Sequence, residues 1–176
     1  MNRLGVPYML VGSMASNFWG IPRSTHDLDF VLALQPADVE SLAATFRHGF
    51  FVQVESIRKA FSPPYQFNAI DEQSALKVDF WLLKQEVFER QAFAHRRRVS
   101  LFGTPAWIMT AEDLILHKFY WHTTSPSDRQ LLDAAGVYAV QEETLDKAYL
   151  RHWAPILGVE AVLAALLSGQ LKPKST

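Results

Sequence analysis

The stretch that most constrains this chain runs from Leu10 to Leu32, LVGSMASNFWGIPRSTHDLDFVL. It reads as a buried strand, a Gly-Ser turn, a short helix, an irregular loop and a second strand. The second strand carries Asp27 and Asp29 with Leu28 between them. Residues two apart on a strand share a face, so both carboxylates project together while Leu28 and Phe30 turn into the core. Two adjacent like charges are costly unless a cation sits between them. A divalent ion such as Mg²⁺ takes oxygen ligands from one or two carboxylates and from substrate phosphates, and it meets that need.

The strand before it, Tyr8 to Val11, is apolar and stops at Gly12-Ser13. Glycine there permits close approach of a ligand or another backbone. Ser13 is placed to cap a helix over Met14 to Trp19, whose free N–H groups would suit an anion. An ordinary strand-to-helix turn explains the same pair. Gly20-Ile21-Pro22 ends the helix, and Arg23, Ser24, Thr25 and His26 lead into Asp27. Arg23 suits either a phosphate or a nearby carboxylate.

Further on, Pro36 to His48 reads as a helix closed by Gly49, and Phe50 to Glu55 as a third strand. Gln66 to Asp71 and Ala75 to Lys84 read as two strands joined by a turn. In the second of these, Lys77, Asp79 and Trp81 share one face and Val78, Phe80 and Leu82 the other. An Asp in the middle of a hydrophobic strand needs a reason. It either pairs with Lys77 or an Arg, or it is the third carboxylate of the Asp27/Asp29 site; the earlier pair favours the second. Glu86 to Ala94 reads as a helix. Arg96-Arg97-Arg98 then enter a strand over Val99 to Phe102, with Arg96 and Arg98 on one face, as a solvated edge or a local phosphate or RNA contact. Ala106 to Met109 returns as a strand.

From Thr110 the pattern turns helical. Thr110 to Asp113 is a capping box opening a helix to Trp121. Helices are expected over Asp128 to Val140, from a Thr144 cap to Trp153 or beyond, and over Glu160 to Leu167, and the polar tail Lys172 to Thr176 is expected to fray. The division is therefore an αβ core, residues 1–109, and a C-terminal helical part, residues 110–171. At 176 residues the two are expected to pack as a single compact unit. A net charge of −1 argues against a bulk electrostatic grip on nucleic acid. The chain has no Cys, which excludes disulfides, thiolate metal sites and a Cys nucleophile. No signal-like start or membrane-spanning apolar run is visible, so a soluble, cytoplasmic protein without membrane partners is expected.

Three carboxylates on neighbouring strands beside a Gly-Ser turn suit nucleotidyl transfer, with metal ions bridging carboxylates and phosphates. Gly12-Ser13, Asp27-x-Asp29 and the strand Asp79 together resemble the minimal pattern of the DNA polymerase β superfamily of nucleotidyltransferases. The loop Gly20 to Thr25, and Glu112-Asp113-Leu114-Ile115 with Lys118, resemble bacterial AbiEii-like nucleotidyltransferases of the abortive-infection toxin kind. That resemblance implies an α/β (α+β) fold with a mixed sheet flanked by helices. It implies Mg²⁺ or Mn²⁺ on Asp27, Asp29 and Asp79, and an NTP substrate with its triphosphate on Gly12 and Ser13. Arg23 and Thr25 join the nucleotide contacts, and Lys118 reaches phosphates. Asp113 caps its helix, orients Lys118 or joins the catalytic set. The acceptor would be an RNA such as a tRNA end, a protein hydroxyl or a small molecule, and an antitoxin or regulatory protein is implied as partner. Such proteins often have a helix ahead of the first strand. Only Met1 to Pro7 stand there, so either the natural start lies upstream or another chain fills the place. Two other classes fit the residues less well: a nucleotide- or partner-binding module without turnover, and a metal-dependent phosphohydrolase, for which the six His are too scattered.

Overall fold

The computed structural model describes Asn2 and residues 4–173; the expectation for the tail beyond Pro173 lies outside them. The chain runs β1 (Tyr8–Val11), α1 (Gly12–Trp19), β2 (Asp27–Leu32), a single 3-10 turn (Pro36–Asp38), α2 (Val39–Phe46), β3 (Phe50–Phe51) and α3 (Val54–Lys59). It continues through β4 (Gln66–Asp71), β5 (Lys77–Leu82), α4 (Val87–His95), β6 (Arg97–Leu101) and β7 (Thr104–Ile108). The last part is helical: α5 (Ala111–Thr124), α6 (Asp128–Gln141), α7 (Lys147–Leu157) and α8 (Glu160–Leu167). The fold is mixed α/β. Among the described residues seven strands form one sheet in the order β3-β4-β5-β2-β1-β7-β6.

The described residues divide into two compact units, and the division falls inside α1. One unit holds the chain up to Met14 with Thr25–Ile108; the other holds Ala15–Ser24 with the chain from Met109 onward.

In the first unit β2 runs antiparallel to β1 and parallel to β5, while β4 runs antiparallel to β5. One sheet face is apolar. Tyr8, Leu32, Phe67, Ala69, Val78, Phe80 and Leu82 meet Val39, Leu42, Ala43 and Phe46 of α2 and Ile57 of α3 in one buried cluster. An aromatic row crosses three strands within it. Phe67 stacks on Phe80 with ring centroids 4.9 Å apart, and Phe80 stacks on Phe30 at 5.8 Å. Both pairs are also register partners, so the packing and the backbone ladder specify the same alignment.

The expected strand over Phe50 to Glu55 is corrected. Phe50 and Phe51 alone pair with β4, and the chain turns into α3 after an extended Gln53. The β-rich spelling FFVQV is overridden because Ile57 and Ala60, three apart, bury together on a helix face.

In the second unit α5 packs on α6 and α7, and α7 on α8. Leu114, Ile115, Leu116 and Phe119 of α5 are fully buried, as are Ala134 and Val137 of α6 and Leu150 of α7. Asp146, not Thr144, caps α7: its carboxylate accepts from the Tyr149 N–H at 2.9 Å. The Thr144 hydroxyl instead donates to the Gln141 carbonyl at the end of α6. The segment Ala15–Ser24 is tied in by the Trp19 indole, which donates to the Met109 carbonyl at 2.8 Å, and by the Gln141 amide, which donates to the Trp19 carbonyl at 2.8 Å.

Gly20 is the closest point of that attachment. A Cβ there would stand 2.6 Å from the Val137 backbone nitrogen and 2.8 Å from the Gly136 carbonyl carbon. Neither is the end of a flexible side chain, so the clash is relieved only by moving backbone. Gly20→Ala is expected to lower stability by about 1–3 kcal/mol, read as a lower urea midpoint. An unchanged midpoint would mean that the two backbones are not this close.

Candidate functional site

The register of the parallel pair decides what lies together. Phe30 is the partner of Phe80, Asp29 of Asp79, and Asp27 of Lys77. Alternation then puts Asp27, Asp29, Lys77 and Asp79 on the face opposite the aromatic row. Asp29 also has Val11, the last residue of β1, as its partner on the other side. Gly12 follows directly with φ +66°, a left-handed conformation. A Cβ on Gly12 would sit 2.3 Å from Asp29 Oδ2 and 2.9 Å from its carboxyl carbon. Both constraints exclude a side chain at this position. Ser13 lies in the first turn of α1, which begins two residues earlier than a Ser13 cap would place it. Thr25 forms a turn into β2, its hydroxyl oxygen accepting from the Asp27 N–H at 3.3 Å.

Asp79 is buried, at 7% exposure, and held from two sides. The Lys77 ammonium lies 2.8 Å from Oδ2, and the Gln66 amide on β4 donates to Oδ1 at 3.1 Å. The hydrogen bond to Asp79 raises the Lys77 pKa; burial opposes this, and the charges of Asp79, Asp27 and Asp29 add to it. Asp79 is thus paired with Lys77 and stands beside Asp29. As arranged, no group of three His, Asp or Glu among the described residues converges to hold a metal ion. The oxygen donor set itself suits Mg²⁺.

Arg23 and Lys118 come together elsewhere, in the second unit, on a residue that sequence reasoning missed. Asp133 accepts from Arg23 Nε at 2.7 Å and Nη2 at 2.9 Å, and from Lys118 Nζ at 2.8 Å. Asp133 is 8% exposed and Lys118 4%. The Asn17 side chain fixes the loop around Arg23, donating to the Arg23 carbonyl at 2.7 Å and accepting from its N–H at 3.0 Å. The one signal for Asp133 was its place four residues before Val137, on the same helix face. Asp113, wholly buried, accepts from the Thr110 hydroxyl at 2.7 Å and the Tyr149 hydroxyl at 2.6 Å. Burial and this bond push the Tyr149 phenol above its ordinary range.

The arginine run divides. Arg96 precedes β6 instead of sharing a strand face with Arg98; its guanidinium lies over Phe93 at 4.2 Å and Trp107 at 4.9 Å. Arg97 and Arg98 are exposed.

No protein-family model matches the chain, and no curated protein matches it. Solved structures do. The chain is similar to the antibiotic-resistance factor ANT(2'')-Ia in solution, with TM-score 0.59 and 16% identity over 96% of this chain and 90% of that one. It is similar to ANT(2'')-Ia in complex with adenylyl-2''-tobramycin, with TM-score 0.53 and 17% identity over 96% and 91% of the two chains. An antigenic nucleotidyltransferase-like protein from Paracoccidioides brasiliensis follows, with TM-score 0.50 and 13% identity over 99% and 88%. The fold is that of the nucleotidyltransferases. At these identities the likeness concerns the fold, and the site stands on its own geometry.

The Asp133 cluster yields a pH prediction. Burial alone would raise this carboxyl, but the bonds and charges of Arg23 and Lys118 outweigh it and hold it below the ordinary range. A carboxyl lowered in the folded state stabilises fully above its unfolded pKa, about 3.9, and loses that contribution as pH falls through the folded value. Asp133→Asn removes the carboxylate that Arg23 and the buried Lys118 share, and is expected to cost about 3–5 kcal/mol near pH 7. Urea unfolding should show this gap steady down to about pH 5 and narrowing below about pH 4. A gap as wide at about pH 3 as near pH 7 would refute the assignment.

Proposed function

We propose that this chain moves a nucleoside monophosphate from an NTP to a hydroxyl acceptor in a reaction dependent on Mg²⁺, with Mn²⁺ able to replace it. The observation that carries this is the pairing of Asp29 with Asp79 on one sheet face, beside a Gly12 that admits no side chain. Asp27, Asp29 and Asp79 would hold the cation, since three carboxylates supply the hard oxygen donors it prefers. When bound, it supplies Lewis-acid activation of the acceptor hydroxyl and stabilises charge on the leaving pyrophosphate. The acceptor oxygen attacks the α-phosphorus, the bond to the β-phosphate oxygen breaks, and the hydroxyl proton passes to Asp79. Gly12 and Ser13, at the start of α1, present backbone N–H groups to the triphosphate. Thr25, at the entry to β2, adds a hydroxyl to the nucleotide contacts. For Arg23 and Lys118, phosphate contacts would be made beside their bonds to Asp133 or in place of them.

A small-molecule hydroxyl is the first acceptor to test, because one structural neighbour is held in complex with an adenylylated small molecule, adenylyl-2''-tobramycin. RNA and protein hydroxyls are the other two classes. A toxin role with a neutralising protein partner is the finer reading that the sequence resemblance adds.

The test is incubation with each α-labelled NTP and Mg²⁺ in the presence of separate RNA, protein and small-molecule pools. Label transfer with release of pyrophosphate is expected. Asp29→Asn should reduce the transfer by at least about 10²-fold with no loss of melting temperature. Nucleotide binding without transfer to any pool would overturn the enzyme and leave a binding module. Phosphate release without transfer would make it a hydrolase.

A further inference from the structure

The carboxylate face already contains a cation. Lys77 starts β5 as the register partner of Asp27, and its ammonium lies 2.8 Å from Asp79 Oδ2. It is also within electrostatic reach of Asp27 and Asp29. The pair is uneven in mobility. The Lys77 side chain is 46% exposed and that of Asp79 10%, with the Gln66 amide fixing the other Asp79 oxygen. Lys77 is therefore the partner free to swing away, on a four-carbon stem ending in a compact charge. With the ammonium in place, one of the two Asp79 oxygens is spent on it and the other on Gln66.

We propose that Lys77 is the resident counter-cation of the carboxylate trio, and that a divalent cation must displace it from Asp79 to be held there. This rests on the nucleotidyl-transfer reading above and deepens it. Two consequences follow from charge alone. Without nucleotide, Lys77 and the divalent cation compete for the same oxygens, so cation binding is weak. With a nucleotide, the phosphate chain offers the released ammonium another anionic partner, so cation and nucleotide each favour the other's binding. That coupling is reciprocal by linkage.

The test measures binding, not turnover. Mn²⁺ is titrated into the whole protein by calorimetry, alone and with a non-hydrolysable α,β-methylene NTP, for the wild type, Lys77→Met and Lys77→Arg. Lys77→Met is expected to bind Mn²⁺ alone roughly fivefold more tightly than the wild type, the size of one lost competing pair. It should also gain less than the wild type does when the nucleotide is added. Lys77→Arg keeps the charge and should follow the wild type, which separates competition from any general disturbance of β5. Unchanged or weaker Mn²⁺ binding by Lys77→Met, with the wild type binding Mn²⁺ and nucleotide, would overturn the role of Lys77 and leave the transferase reading standing. No Mn²⁺ binding by the wild type, with or without nucleotide, would overturn both.

Discussion

The alignment of β2 against β5 is the constraint on which the rest depends. Phe67, Phe80 and Phe30 stack across three strands on the buried face. Their stacking holds the register, because a slip by one residue would move this apolar row to the opposite face and the carboxylates into the core. The same alignment sets Asp29 beside Asp79 one residue away on the other face. Core and candidate site are thus two readings of one ladder. The energy that fixes the site comes from hydrophobic packing on the far side of the sheet. Gly12 completes the arrangement from β1, the remaining neighbour of β2.

The two charged clusters solve their electrostatic problem in opposite ways. On the sheet, Asp27, Asp29 and Asp79 all act on the Lys77 ammonium, and this pairing partner is half-exposed. Around Asp133, Arg23 and Lys118 share one carboxylate, and both Lys118 and Asp133 are buried. A buried charge is tolerable only when paired and hydrogen-bonded, and Asp133 supplies that for both cations at once. Arg96 takes a third course, spreading its charge over the faces of Phe93 and Trp107.

Most of the sheet was legible because period-two alternation in DLDFVL and KVDFWL is strong, and it placed each Asp on the correct face in advance. The mixed sheet of the α/β fold was what the resemblance to nucleotidyltransferases implied. What alternation does not contain is which strand lies next to which. The adjacency of Asp29 and Asp79 belongs to the strand order; the Asp27/Asp29 pair pointed toward it, and the resemblance to nucleotidyltransferases implied it. Short elements were harder: FFVQVES is a two-residue strand and a helix because Ile57 and Ala60 have a core to enter, which is tertiary information. Asp133 was hidden in a well-formed amphipathic helix, where one acid among apolar residues resembles an ordinary boundary position. Arg96 was hidden in a run, since three identical residues do not announce that one of them lies over two rings.

The two ends of the sheet differ in a way that bears on behaviour in concentrated solution. A terminal strand exposes unpaired backbone groups that can template a second molecule. At one end β3 is two residues long, which offers little free edge to a second molecule. At the other, β6 is a full strand, but it presents Arg97 and Arg98 in succession, both exposed. Two copies approaching through this edge would bring like charges together before a hydrogen bond could form. One border of the sheet is guarded by brevity and the other by charge. Only the second guard weakens as salt is raised.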